Sequence, residues 1–305
     1  MKPSVLLVAH DAGGAEILSA WQAEQGYGLS LAHCLAGPAQ RIFERDHGPL
    51  SLVGLDAVDS LPPDGLVLTA TSLEADLERR ALARARYLGR RSATFLDHWD
   101  LYRERFGSPD TWRQALPNEV WVGDNYALDL ALRLGFPPKL LRLTPNPIFV
   151  RLRRMGTSAP PPGRLRVLYL CEPISRKLRE TFGPDAAAYD DECIIMDHFL
   201  TCMQRHAGKL SHVTLRLHPS ERSDKYDAIV CRPRGSLDVR YSDEPVLAQD
   251  ILRHSLIVGM ESAALVVGVL LGRPVYSCLT GKPWDISLPH REITRLCNFE
   301  KLFTE

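Results

Sequence analysis

Residues Val5-Leu-Leu-Val-Ala9 form an unbroken apolar run that ends abruptly at His10-Asp11. A strand that alternates apolar and polar residues rests one face on a core. A short strand with no such alternation is buried on both faces, which is the condition of a parallel strand sandwiched between helices. After the run come Gly13 and Gly14, which permit a tight turn. A helix is then expected from about Ala15, since Ile17, Leu18 and Trp21 fall close to one helical face. Strand, glycine turn and helix together open a doubly wound α/β sheet.

The alternation continues. Strands are expected at Leu29–Cys34, Leu50–Leu52, Leu66–Thr69, Ala93–Leu96, Glu119–Val122 and Leu140–Leu143, with helices between them over Glu74–Leu88 and Tyr126–Leu134. The basic, then proline-rich stretch from Arg151 to Gly163, with Pro160, Pro161 and Pro162 in succession, reads as an exposed connector. Beyond it the pattern restarts. Strands are expected at Arg166–Cys171, His212–Leu217, Leu256–Val258 and Pro274–Cys278, and helices at Cys193–His206, Val246–His254 and Ala263–Leu271. The chain has 305 residues, more than a single core usually serves. The expected organisation is therefore a domain over 1–150, a linker over 151–163 and a second domain over 164–305. Both are Rossmann-like, and the carboxyl ends of their sheets face a central cleft where ligands of such sheets bind.

Composition narrows the function. Apolar residues make up 45% and charged residues 24%, an ordinary globular balance that excludes a disordered chain. Lysine plus arginine equals aspartate plus glutamate at 37 each, so no net field draws nucleic acid, and any anion site must be local. The cysteines at 34, 171, 193, 202, 231, 278 and 297 are scattered and odd in number. They form no C-x-x-C pair, which argues against a disulfide framework and against a zinc site, and fits a reducing compartment. The first apolar run is too short for a secretory leader, and no stretch approaches a membrane span. A cytoplasmic protein is expected, with peripheral attachment to a membrane-bound glycan-assembly complex left open.

Five constellations can carry chemistry. In His10-Asp11-Ala12-Gly13-Gly14-Ala15-Glu16, the glycines admit a substrate, and Glu16, or failing it Asp11, can act as general base; alternatively Asp11 caps the helix and Glu16 complements its dipole. In Asp97-His98-Trp99-Asp100-Leu101-Tyr102, after a strand, Asp97 and His98 can form an acid–base pair, with Asp97 a second candidate base. His98, Trp99, Asp100 and Tyr102 can contact an acceptor sugar, although either aromatic alone is more often core. His218-Pro219 ends a strand, and the proline keeps His218 extended, its imidazole at the tip and able to protonate a leaving phosphate. Glu261-Ser262-Ala263 starts a helix whose free amides and serine suit an anion, with Glu261 near a ribose, or else the serine is only a cap. Ser175, after Glu172, is a weaker phosphate contact.

On these residues the chain resembles GT-B glycosyltransferases, and among them the CMP-sugar users, bacterial sialyltransferases and Kdo transferases. Those families place a His-Pro dipeptide and a serine-bearing turn in the second domain, here His218-Pro219 and Glu261-Ser262. The resemblance implies that His218 and Ser262 hold the CMP phosphate. It also implies that the base is Glu16, as in the Kdo enzymes, or an acid of the Asp97–Asp100 loop, as in the sialyltransferases. The expected activity is an inverting, metal-independent transfer of a nonulosonate or Kdo-type sugar from a CMP-sugar donor to a glycan hydroxyl in polysaccharide biosynthesis, without cofactor. Two alternatives stand beside it: a UDP-sugar transferase, hydrolase or 2-epimerase on the same fold, and a non-catalytic nucleotide-sugar-binding protein.

Overall fold

The computed structural model describes residues 4–73, 75–155, 159–176, 179, 183, 191–278, 288–296 and 298–303. Its contacts divide the chain into two compact units, Met1–Arg151 and Leu152–Glu305. Each is built on a six-stranded, wholly parallel sheet. The chain therefore folds as two Rossmann-like α/β domains.

The first unit runs β1 (Ser4–Ala9), α1 (Ala12–Gln25), β2 (Ser30–Leu35), α2 (Pro38–His47), α3 (Ala57–Ser60), β3 (Leu66–Thr69), α4 (Leu77–Tyr87), β4 (Arg91–Leu96), β5 (Glu119–Val122), α5 (Asn125–Arg133), β6 (Leu141–Leu143) and α6 (Pro147–Arg154). Its strand order is β2-β1-β3-β4-β5-β6. The apolar run of β1 divides by its period of two. Val5, Leu7 and Ala9 pack with Ile17, Leu18 and Trp21 of α1 on one face, while Leu6 and Val8 pack with Ala81 and Ala85 of α4 on the other.

The second unit runs β7 (Leu165–Leu170), α7 (Glu192–Arg205), β8 (Leu210–Arg216), α8 (Asp227–Val230), β9 (Val239–Tyr241), α9 (Leu247–Leu252), β10 (Leu256–Gly259), α10 (Ala264–Leu270), β11 (Val275–Ser277) and β12 (Ile293–Arg295). Its order is β12-β11-β10-β7-β8-β9. Val167 and Tyr169 of β7 bury against Met196, Phe199, Leu200 and Met203 of α7. No helix among the described residues is long and apolar enough to cross a membrane.

Several expected elements are corrected. The helix after β1 starts at Ala12, not Ala15, because Asp11 holds the extended N-cap position and β1 leads straight into it, so Gly13 and Gly14 lie in the first helical turn. No strand forms at Leu50–Leu52; Leu52 makes an isolated bridge to His33 beside α2, a helix started by Pro38 at its first turn. The connector expected from Arg151 is still helix to Arg154, and arginines near that carboxyl end complement the helix dipole. The helix expected from Glu74 starts at Leu77, and Glu74 itself lies outside the described residues, as do Ser158 of the connector and Cys297.

Candidate functional site

In a doubly wound sheet, ligands collect at the carboxyl ends of the strands where the strand order reverses. In the first unit that point lies between β1 and β3. The His10 imidazole meets Asp11 at 2.7 Å, and the backbone N–H of Leu73 donates to Asp11 Oδ2 over 3.3 Å. Asp11 thus stands at the N-cap of α1 without capping it through its side chain. Gly14 is required by packing: a Cβ there would lie 2.3 Å from the Cβ of Ala70, just past β3.

Asp97, one residue past β4, is fastened rather than free. Its Oδ1 accepts from the Thr71 hydroxyl at 2.7 Å and from Arg105 at 2.8 Å, and its Oδ2 would lie 2.7 Å from a Cβ on Gly13. Arg105 is 7% exposed and also reaches Asp100 at 3.3 Å. His98 meets Asp100 at 3.0 Å, so the expected Asp97–His98 pair is replaced by two pairs, Asp97 with Arg105 and His98 with Asp100.

Two expected acceptor contacts and one expected base are corrected. Trp99 is 5% exposed, stacked on Phe149 and donating to Asp124 at 3.2 Å, and Tyr102 is fully buried edge-on to Phe136; both belong to the core. Glu16, in the second turn of α1, forms a two-armed pair with Arg45 of α2 at 2.9 and 2.8 Å, and that guanidinium occupies both oxygens expected to act as a base.

Sequence reasoning missed Glu78. It sits in the first turn of α4, 3% exposed, and its Oε1 accepts from the His10 backbone N–H and the Ser72 hydroxyl, each at 2.7 Å. Its Oε2 is buried without a hydrogen-bond partner. Burial pushes its carboxyl above the usual range despite those two donors. The signal was present: Glu78, Ala81, Leu82 and Ala85 follow the spacing of one buried helical stripe, with a carboxylate in a place otherwise apolar.

In the second unit the order reverses between β7 and β10. There Glu172, just past β7, accepts from the backbone N–H of Glu261 at 3.0 Å, and the Ser262 hydroxyl accepts from the Ala264 N–H at 3.3 Å. The amides expected to cradle an anion are thus partly taken by this chain's own groups, and Ala263 precedes the helix as its cap. Ser175 is buried, and both its N–H and its hydroxyl donate to Glu192.

His218 lies two residues beyond β8. Its Nδ1 accepts from the Ser220 N–H at 3.2 Å and faces the Ser220 hydroxyl at 2.8 Å, which itself accepts from Arg176 at 2.9 Å. With Nδ1 accepting, the neutral ring carries its proton on Nε2 and presents a donor. Burial lowers the pKa of His218; Glu221 opposes this, while Arg176 and Lys225 reinforce it. Beneath the ring, Glu221 accepts from the His218 N–H at 3.1 Å, from Lys225 at 2.6 Å and from the Tyr226 hydroxyl at 2.7 Å. Lys225 also pairs with Glu192, joining Ser175 to the same network. Alongside opens a cavity of about 420 Å³ whose wall includes Arg176, Arg179, Arg222 and Lys225.

No protein-family model matches the chain. No curated protein matches it in sequence either. Solved structures do. UDP-GlcNAc 2-epimerase from Methanocaldococcus jannaschii superposes with a TM-score of 0.63 over 99% of this chain and 91% of its own, at 10% identity. This chain has that fold. Anabaena Alr3699/HepE in complex with UDP-glucose matches with a TM-score of 0.59 over 99% of this chain and 88% of its own, at 12% identity. The S. aureus MnaA–UDP structure gives 0.58 over 91% and 79%, at 13% identity.

These likenesses bear out the pair of Rossmann-like α/β domains and correct the resemblance to sialyltransferases and Kdo transferases. Structures that share the fold include UDP-GlcNAc 2-epimerases and proteins solved with UDP or UDP-glucose. The CMP-sugar glycosyltransferase, its CMP donor and its glycan acceptor are therefore set aside. A His-Pro pair and a serine before a helix carry no feature that distinguishes one nucleotide base from another.

Proposed function

We propose that this chain is a UDP-sugar enzyme of the 2-epimerase type, inverting the configuration at C2 of a UDP-N-acetylhexosamine. The observation that carries this reading is the match over nearly the whole chain to a UDP-GlcNAc 2-epimerase fold. In the second unit, the Nε2–H of His218 and the guanidinium of Arg176 supply donors for the diphosphate, and Ser262 and Glu261 flank the ribose. In the first unit, Glu78 and Asp97 are the candidate proton-handling groups. Glu78 suits the acid role, since burial holds its proton to higher pH than an ordinary carboxyl. The reading places the chain in the cytoplasm, as its scattered, odd-numbered cysteines lead one to expect.

Inversion at C2 replaces the hydrogen on that carbon. The protein incubated with UDP-GlcNAc in D2O and followed by proton NMR should convert it into its C2 epimer and lose the C2–H signal. Hydrolysis to free UDP, or transfer to a supplied glycan, without deuterium entering C2 would overturn the proposal.

A further inference from the structure

Helix α7 carries His198 and Cys202 four residues apart on one face, and His206, four residues further on, is its C-cap. The segment Phe299–Phe303 lies against that helix: the Phe299 ring meets Phe199 edge-on with centroids 5.4 Å apart, and Phe303 stacks on the His206 imidazole at 4.0 Å. These two ring contacts hold Glu300 over the helix. Glu300 Oε2 lies 2.6 Å from His206 Nε2, and Oε1 accepts from Arg205 at 2.9 Å. The Cys202 sulfur, a His206 ring nitrogen and a Glu300 oxygen all lie within 4.8 Å of one another.

We infer that Cys202, His206 and Glu300 form a zinc(II) site that fastens the carboxyl-terminal segment to α7. A sulfur, an imidazole nitrogen and a carboxylate oxygen are the donors zinc takes, and the thiolate selects it over magnesium or calcium. Around a tetrahedral ion with bonds of about 2.0–2.3 Å, neighbouring donors stand about 3.3–3.8 Å apart, so the three groups converge on an ion after sub-ångström to ångström adjustments. The fourth position faces a cavity of about 350 Å³ lined by His198, Thr201 and Asn298, open to a water or to the His198 imidazole. Arg205 is two-thirds exposed and is free to release Glu300 to the metal.

Zinc binds a cysteine as its thiolate. Coordination forms the Zn–S bond and releases the thiol proton to solvent, which makes affinity rise with pH. The C-x-x-C test applied to the cysteines passes over such a set, because its donors are a helical i, i+4 pair and a residue 94 positions beyond His206. This inference does not depend on the epimerase reading.

The test is a Co²⁺ titration of the full-length, chelator-treated protein, followed by Zn²⁺ competition. One cobalt per chain is expected, with a thiolate charge-transfer band in the near ultraviolet that one equivalent of zinc bleaches. C202S should abolish the band, whereas C231S, which removes an exposed thiol outside the set, should leave it. E300Q, a partly exposed change that spares the helix core, should weaken zinc about tenfold or more. No band in the wild type, or zinc affinity unchanged in E300Q with the fold intact by circular dichroism, would overturn the site and leave Arg205, His206 and Glu300 as an ion-pair cluster.

Discussion

The backbone N–H of Ser220 points at Nδ1 of His218 over 3.2 Å. A ring nitrogen that accepts from a main-chain amide carries no proton of its own, so the chain fixes the tautomer and turns Nε2 outward as a donor. Pro219 between the two residues holds the turn that makes this possible.

If that donor meets a diphosphate, His218→Ala should weaken UDP binding roughly tenfold to a hundredfold, the worth of about 1.4–2.8 kcal/mol of charge-assisted hydrogen bonding. His218→Gln, which keeps a donor, should recover part of it. Calorimetric titration measures both. Because the pKa of His218 is lowered, its contribution should stay level from pH 8 down to about 6.5, and a steep gain in UDP affinity over that range would show that the ring binds as a cation instead.

Glu78 is expected to matter for turnover and not for nucleotide affinity. Its buried, unpartnered Oε2 marks a carboxyl that structural needs alone do not explain. Glu78→Gln should lower the rate on the order of a hundredfold with UDP affinity unchanged. Full activity in that variant would make Glu78 a packing residue.

Gly14 makes a sharper structural claim. Gly14→Ala should destabilise the first unit by about 1–3 kcal/mol through the clash with Ala70. Adding Ala70→Gly should restore part of the loss, an interaction energy that chemical denaturation of the two single variants and the double variant reads directly.

Stability should fall on mild acidification. His212 is 9% exposed, and burial, with Arg240, His254 and Arg166 adding to it, lowers its pKa to about 4. A histidine depressed in the folded state takes up protons more readily when unfolded, so stability is complete above about pH 6.5 and is lost as pH falls toward 4. His212→Gln, which keeps an acceptor for Arg240, should reduce that loss by on the order of 2 kcal/mol. An unchanged acid limb in thermal melts would assign the loss to other groups, His254 first, since burial depresses it as well.

Much of the sheet could be read from the chain because parallel strands carry their signal locally: β1, β3, β5, β7 and β10 are apolar runs bounded by polar turns. The short β9 and β12 carry no such run; with three residues each, they are defined by pairing with a neighbour rather than by their own pattern. At the candidate site, the positions at strand tips were legible and the orientations were not. Adjacency in sequence suggested an Asp97–His98 pair, whereas Asp97 meets Arg105, eight residues on, and His98 lies beside Asp100. Glu16 looked available until α2, an unanticipated helix, brought Arg45 to it. Aromatics beside an ionisable loop read equally as stacking platforms or as core, and Trp99 and Tyr102 are core. The nucleotide base was out of reach, since neither His218-Pro219 nor Glu261-Ser262 carries a pattern that tells one base from another.

The most direct test is a side-by-side calorimetric titration of the full chain with UDP and CMP. The account expects UDP to bind, CMP to bind at least tenfold more weakly, and His218→Ala to erode the UDP signal. CMP binding as tightly as UDP, or no UDP binding by a folded protein, would contradict it.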